Sequence, residues 1–238
     1  MEKEKNFKLK NMFIGFGVLF LYLIISALPY DFIGLFGINF NDLNIIFKQI
    51  YLILYEICLT LIIIYIYRKD FIPNFKNFIK NINLYLKKYI RYWFLMLGLM
   101  VLSNFIITMF TTTITSQNQQ TIVETLGKAP IYTFIITVFI APILEELVFR
   151  LSFRKIFANT DILFIFFSGL FFGGMHVLGS LEHLVDLLFI IPYSIPGFIF
   201  AYLYTKSKNI FVPISLHFIH NGIMMILQLL LIFKNIYF

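Results

Sequence analysis

Apolar residues in this chain come in long runs, unlike the short alternating or one-faced patterns of a water-soluble domain. Runs near the ~20 residues that a helix needs to cross a bilayer fall at 11–29, 48–67, 92–110, 131–153, 162–179, 184–204 and 209–233. They predict an all-α fold, a polytopic transmembrane helical bundle of about 7–8 spans. Residues 31–47 are apolar but broken by Asp31, Asn39, Asn41 and Asp42, which predicts a loop, with a re-entrant segment as the alternative. Residues 71–91 place Phe71, Phe75, Phe78, Ile79, Ile82 and Leu86 at helical spacing, with Lys76, Lys80, Lys87 and Lys88 between them. That pattern predicts an interfacial amphipathic helix, against the plainer alternative of an inter-span loop. The stretch 111–121, rich in Thr, Gln and Asn, predicts an exposed loop. Residues 1–30 have the basic start and apolar run of a signal peptide. The run is long for one and carries no clear small-x-small cleavage pattern, so it reads as the first span.

Composition agrees with burial in lipid. The chain is 60% hydrophobic and 13% charged, with a mean hydropathy of +0.88, whereas a soluble domain carries roughly 25% charge. With the N-terminus in the cytoplasm, the predicted inner segments hold 16 of the 19 lysines and arginines, and only Lys48, Lys128 and Lys234 fall elsewhere. The positive-inside rule therefore predicts a multi-pass cell-membrane protein with a cytoplasmic N-terminus. It also accounts for a pI of 9.4 without nucleic acid. Basic segments face anionic headgroups, so the expected partner is the lipid bilayer. The single cysteine, Cys58, excludes an intramolecular disulfide. Tyr92 and Trp93, at the start of the third run, read as an interface anchor.

The chemistry-bearing residues sit inside the apolar runs. Glu145 and Glu146 lie in Ala141-Pro-Ile-Leu-Glu-Glu-Leu-Val-Phe-Arg150. A carboxylate at hydrocarbon depth costs about 2.5–3.5 kcal/mol on insertion scales, so it marks a functional site by default. Glu146 and Arg150 are four apart and share a helix face, which predicts an ion pair. Glu145 is turned about 100° away and is left available as a base. Pro142 removes a helical hydrogen bond, and the spacing predicts that the carbonyl of Val138 is freed. His176 follows Gly173 and Gly174, which permit close approach of a neighbouring backbone. The turn at Asn159-Thr160-Asp161 lies equally far from Glu145 and His176, which predicts similar heights in an antiparallel helix pair. His217 and Asn221 share a stripe on the last run, with His220 offset, and can serve an oxyanion or a metal. The alternative for each group is structural: a charge cluster near the membrane interface, or polar glue between helices. Glu56 and Asp186 read as structural, and Glu182 and His183 as residues of an outer turn.

Glu145-Glu146-x-x-x-Arg150, Phe172-x-x-x-His176 and His217-x-x-x-Asn221, in that order on three apolar segments, resemble the CPBP family. This family of intramembrane proteases includes CAAX prenyl endopeptidases of the Rce1 type and bacterial Abi proteins of bacteriocin processing and immunity. The resemblance covers roughly residues 130–225. It implies an Abi/CAAX-protease-like core at 129–233; residues 1–128, read from the apolar runs and charges as N-terminal transmembrane helices and the basic interfacial segment, stand before it, and the first hundred carry no resemblance. It also implies cleavage of a membrane-associated peptide or protein substrate. Glu145 would activate water held by His176, His217 and Asn221 would bind the oxyanion, and Glu146 with Arg150 would support the site. Members are commonly classed as metallopeptidases, and Glu145, His176 and His217 could ligate a divalent metal such as zinc; a metal-free glutamate mechanism is the other option. A bacterial leader, bacteriocin or pheromone peptide is the expected substrate. The competing readings are a non-catalytic bacteriocin-immunity or scaffold protein, and a proton-coupled transporter, against which the lack of an internal repeat counts.

Overall fold

The computed structural model describes residues 2–111, 113 and 115–237, with side chains of 6–111, 113 and 115–234. Thr112 and Ile114 of the polar stretch, and the side chains of Lys3 and Lys5, lie outside the described residues. The described secondary structure is helical. Seven helices are long and apolar enough to cross a membrane. Numbered in chain order, the helices are α1 (Glu2–Ala27), α2 (Pro29–Gly34), α3 (Ile45–Ile66), α4 (Arg68–Lys80), α5 (Ile82–Phe110) and α6 (Gln117–Lys128). There follow α7 (Pro130–Ile156), α8 (Asp161–Leu178), α9 (Ile190–Ser207) and α10 (Phe211–Tyr237). The short α2 and a 3-10 turn at Phe40–Asp42 join α1 to α3.

The peripheral spans present Phe, Leu and Ile outward, as a hydrocarbon solvent requires. Burial grows from 11% of the first span's apolar window to 44% of the sixth, so α7, α8 and α9 form the centre. The tightest contact joins α8 to α9. A Cβ on Gly197 would lie 2.7 Å from the carbonyl oxygen of Gly169, and one on Gly173 would lie 2.6 Å from the amide nitrogen of Ser194. Small residues four apart let the two backbones touch, which replaces the hydrophobic drive that lipid cannot supply. Gly174, the other half of the glycine pair, meets only a Leu178 methyl at 3.7 Å. On the far side, α1 crosses α7 at Gly15, where a Cβ would sit 2.6 Å from the Ser152 carbonyl oxygen.

The structure corrects four sequence expectations. The amphipathic segment ends at Lys80, and residues from Ile82 onward belong to the long span α5. Within α4, Phe71 and Phe75 pack on Phe211, while Asn74 accepts from the Ile210 amide at 2.9 Å, so this helix is pinned to the start of α10. Trp93 is 6% exposed and belongs to the core, because α5 begins eleven residues before it. The polar stretch becomes helical from Gln117: Ser116 caps α6 by accepting from the Gln119 amide, and Leu126 packs with Val138 and Met225. Arg150 is 0% exposed and leaves the set of cytoplasmic loop charges.

Candidate active site

Helix α7 is not a uniform α-helix. Residues Ile135–Ile140 and Leu147–Ser152 run in π register, and Ala141–Glu146 between them is α-helical. In a π turn the amide bonds the carbonyl five residues back, as the Ala141 amide bonds Ile136. Pro142 has no amide proton, so the carbonyl left open in that register is that of Thr137 rather than the expected Val138. Asn221 donates to it from Nδ2 at 2.8 Å, which binds the middle of α10 to α7.

The two glutamates diverge as their positions dictate. Glu146 and Arg150 are both 0% exposed. Arg150 donates from Nε to Glu146 Oε2 at 2.8 Å and from Nη2 to Oε1 at 3.1 Å, a two-point grip. Its Nη1 donates to Ser168 Oγ at 2.7 Å, and Ser168 in turn donates to the Phe149 carbonyl at 2.7 Å. The guanidinium carbon lies 4.9 Å from the centre of the Phe172 ring. His217 Nδ1 lies 3.2 Å from Glu146 Oε1, so the ion pair also fixes an imidazole.

Glu145 faces the other way, into a cavity of about 540 Å³. His176 Nε2 and His217 Nε2 each lie 3.9 Å from Glu145 Oε2, and that oxygen is buried without a hydrogen-bond partner. His176 Nδ1 is 2.8 Å from the Phe172 carbonyl, which only a ring N–H can satisfy. Its Nε2 is therefore a bare acceptor aimed at Glu145. A gap of 3.9 Å is too long for a direct hydrogen bond and leaves room for a bridging water. His220 and Asn221 line the same cavity, and His220 Nδ1 is buried with no partner. Among the described residues no three His, Cys, Asp or Glu side chains are arranged to hold a metal ion. Glu145, His176 and His217 as placed thus do not fit a three-ligand centre, and no step below runs through a metal.

The cavity opens away from the basic end of the bundle. Its outer walls are Asn104 late in α5, Ser116 to Ile122 at the start of α6, Phe189 to Tyr193, and Met224 to Gln228 in α10. The basic end, assigned above to the cytoplasm, is closed. On that side Phe149, Phe153, Phe164, Phe200 and Leu203 close the core. Sequence reasoning missed Ser168, the second anchor of Arg150, and Thr137, the partner of Asn221. It also missed Tyr193, whose ring stacks on His176 with centres 5.1 Å apart. Of these, only Tyr193 carried a signal, as a phenol in an apolar run beside prolines. Asp186 is structural as read: it accepts from the Glu182 and His183 amides at 3.2 and 2.8 Å and so holds the turn before α9.

Residues 127–223 match the model of the Rce1-like family, described as type II CAAX prenyl endopeptidase Rce1-like. The provisionally assigned membrane peptidase YdiL of Bacillus subtilis is 34% identical over 116 residues, 48% of this chain and 44% of that protein. The membrane-embedded CAAX protease MroQ of Staphylococcus aureus is 32% identical over 158 residues, 60% of each. The chain thus spans about half the length of the curated relatives it matches. No solved structure gives a significant match. With seven candidate spans and the three motifs, residues 127–223 of this multi-pass membrane protein are similar to the Rce1-like family.

Proposed function

We propose that the chain is an intramembrane endopeptidase that hydrolyses a peptide bond delivered to the Glu145 cavity. One observation carries this reading: two imidazole nitrogens converge at 3.9 Å on a buried carboxylate oxygen without a partner, at the floor of a cavity. A water placed there gives one proton to Glu145 and hydrogen-bonds through the other to His176 Nε2, which leaves a lone pair for attack. As the water oxygen bonds the scissile carbonyl carbon, its first proton passes to Glu145 and the carbonyl becomes an oxyanion. His217, oriented by the contact of its Nδ1 with Glu146, donates to that oxyanion from Nε2. The second N–H of Asn221 donates beside it. Collapse breaks the C–N bond, and Glu145 returns the proton to the departing amine. The Arg150–Glu146 pair does not react; it keeps His217 oriented.

The relatives' names supply the substrate class only in outline, and a bacterial leader, bacteriocin or pheromone peptide suits a cavity walled by uncharged side chains apart from Glu145 and the histidines. The test is cleavage of a reporter peptide by purified, detergent-solubilised protein. Glu145→Gln is expected to lower turnover by at least about 10³-fold, since it removes the base from a general acid–base step and the route for the proton with it. Its folding stays normal, because the lost charge had no hydrogen bond on Oε2. Wild-type turnover in Glu145→Gln would take the base role from Glu145 and end the mechanism above, whereas absence of cleavage by the wild-type protein would favour the immunity or scaffold alternative.

A further inference from the structure

The start of α6 forms one wall of the cavity that Glu145 and His176 floor, and a single side chain joins the two. Tyr193, in the first turn of α9, lays its ring on the imidazole of His176 with an angle of 18° between planes. Its hydroxyl reaches across to α6, where it lies 2.8 Å from Ser116 Oγ and accepts from Asn118 Nδ2 at 3.2 Å. Ser116 is 6% exposed and is the capping residue of α6, so the contact falls on the residue that starts the helix. Phe172 also packs on His176, with ring centres 4.6 Å apart. The imidazole is therefore held by two rings. One ring belongs to its own helix, and the other is fastened to the cavity wall.

We propose that Tyr193 is a positioning residue that couples closure of α6 over the cavity to the orientation of His176. With α6 docked, the two hydroxyl contacts fix the phenol, and the phenol holds the imidazole so that Nε2 points at Glu145. When α6 lifts to admit a peptide, the phenol is freed and His176 loses its outer support. The water would then be held for attack only in the closed state. That suits an enzyme that must keep its nucleophile idle until substrate lies inside. Tyr193 itself touches neither water nor the scissile bond.

The inference rests on the endopeptidase reading for its kinetic arm only, and its structural arm is independent of turnover. Hydrogen–deuterium exchange of detergent-solubilised protein reads the amides of residues 117–128. Tyr193→Phe keeps the ring and loses the hydroxyl contacts. It is expected to raise exchange there and to lower kcat/KM about tenfold, the effect of about 1.4 kcal/mol. The Ser116→Ala/Asn118→Ala double variant loses the same contacts and the α6 cap as well, so exchange there is expected to rise at least as far, and adding Tyr193→Phe to it is expected to add nothing further. Tyr193→Leu also loses the ring, and its kcat is expected to fall at least about tenfold below that of Tyr193→Phe. Exchange at 117–128 unchanged in Tyr193→Phe overturns the coupling. So does a kcat for Tyr193→Leu equal to that of Tyr193→Phe. If wild type and Glu145→Gln are equally inactive, the protease reading fails. The coupling of Tyr193 to α6 is then still decided by exchange, and a rise in Tyr193→Phe sustains it.

Discussion

Removing Arg150 should be among the most damaging single changes in this chain. Arg150→Ala deletes both bonds to Glu146, at 2.8 and 3.1 Å, and the bond to Ser168 at 2.7 Å. Glu146 stays at 0% exposure with His217 as its one remaining partner. Breaking a buried pair by removing one member costs about 3–5 kcal/mol, mostly for the charge left behind. Lost packing against Phe172 adds to this, so the upper half of the range is expected. The charge argument makes a second, sharper claim. Glu146→Gln/Arg150→Met leaves no uncompensated charge and keeps the volume, so it should recover at least half of the loss. Arg150→Lys should fall between, since an ammonium cannot reproduce the two-point grip. Denaturant titration of detergent-solubilised protein, with yield of folded material as a second readout, measures all three. A loss below about 1 kcal/mol for Arg150→Ala would refute the buried-charge argument. A double variant as unstable as Arg150→Ala would refute it too.

The glycine pair on α8 gives a second test. Gly173→Ala is expected to cost about 1–3 kcal/mol through overpacking against Ser194, while Gly174→Ala is expected to be tolerated, and equal denaturation midpoints would contradict the packing described. Turnover is expected to survive dialysis against a chelator; loss restored by added zinc would place a metal on Glu145, His176 and His217. The basic segment and α6 are expected on opposite sides of the membrane. In a Cys58→Ser background, Lys80→Cys and Glu124→Cys should then be labelled from different sides by an impermeant thiol reagent, and labelling from one side would refute the topology.

Much of the architecture was legible because lipid imposes a simple rule on length and polarity. The seven apolar runs correspond to the seven candidate spans, and the four-residue spacing of Glu146 and Arg150 produced the pair. The equal offsets of Glu145 and His176 from one turn anticipated their proximity, now 3.9 Å. What stayed hidden depends on residues far apart in the chain. Ser116 meets Tyr193 across 77 positions and Asn221 meets Thr137 across 84, and no local pattern encodes either. The segment 111–121 misled for a related reason: its composition is that of a loop, but a helix cap and the packing of Leu126 decide its structure. The two glycines at 173 and 174 looked equivalent, and only the placement of α9 separates them.

The π turns on either side of Ala141–Glu146 turn residue count into a design variable. Losing one residue from Ile135–Ile140, such as Ile136, would let that stretch relax to α register with the helix beyond it nearly unrotated, because a π turn holds about one residue more than an α turn. The carbonyl left open by Pro142 would then be that of Val138 instead of Thr137, and Asn221 would lose its acceptor although every catalytic side chain remained in the sequence. A residue added or lost where no π turn absorbs it would rotate all that follows by about 100° and carry Glu145 off the cavity. Single-residue deletions are therefore expected to be better tolerated within the two π turns than in Ala141–Glu146 between them.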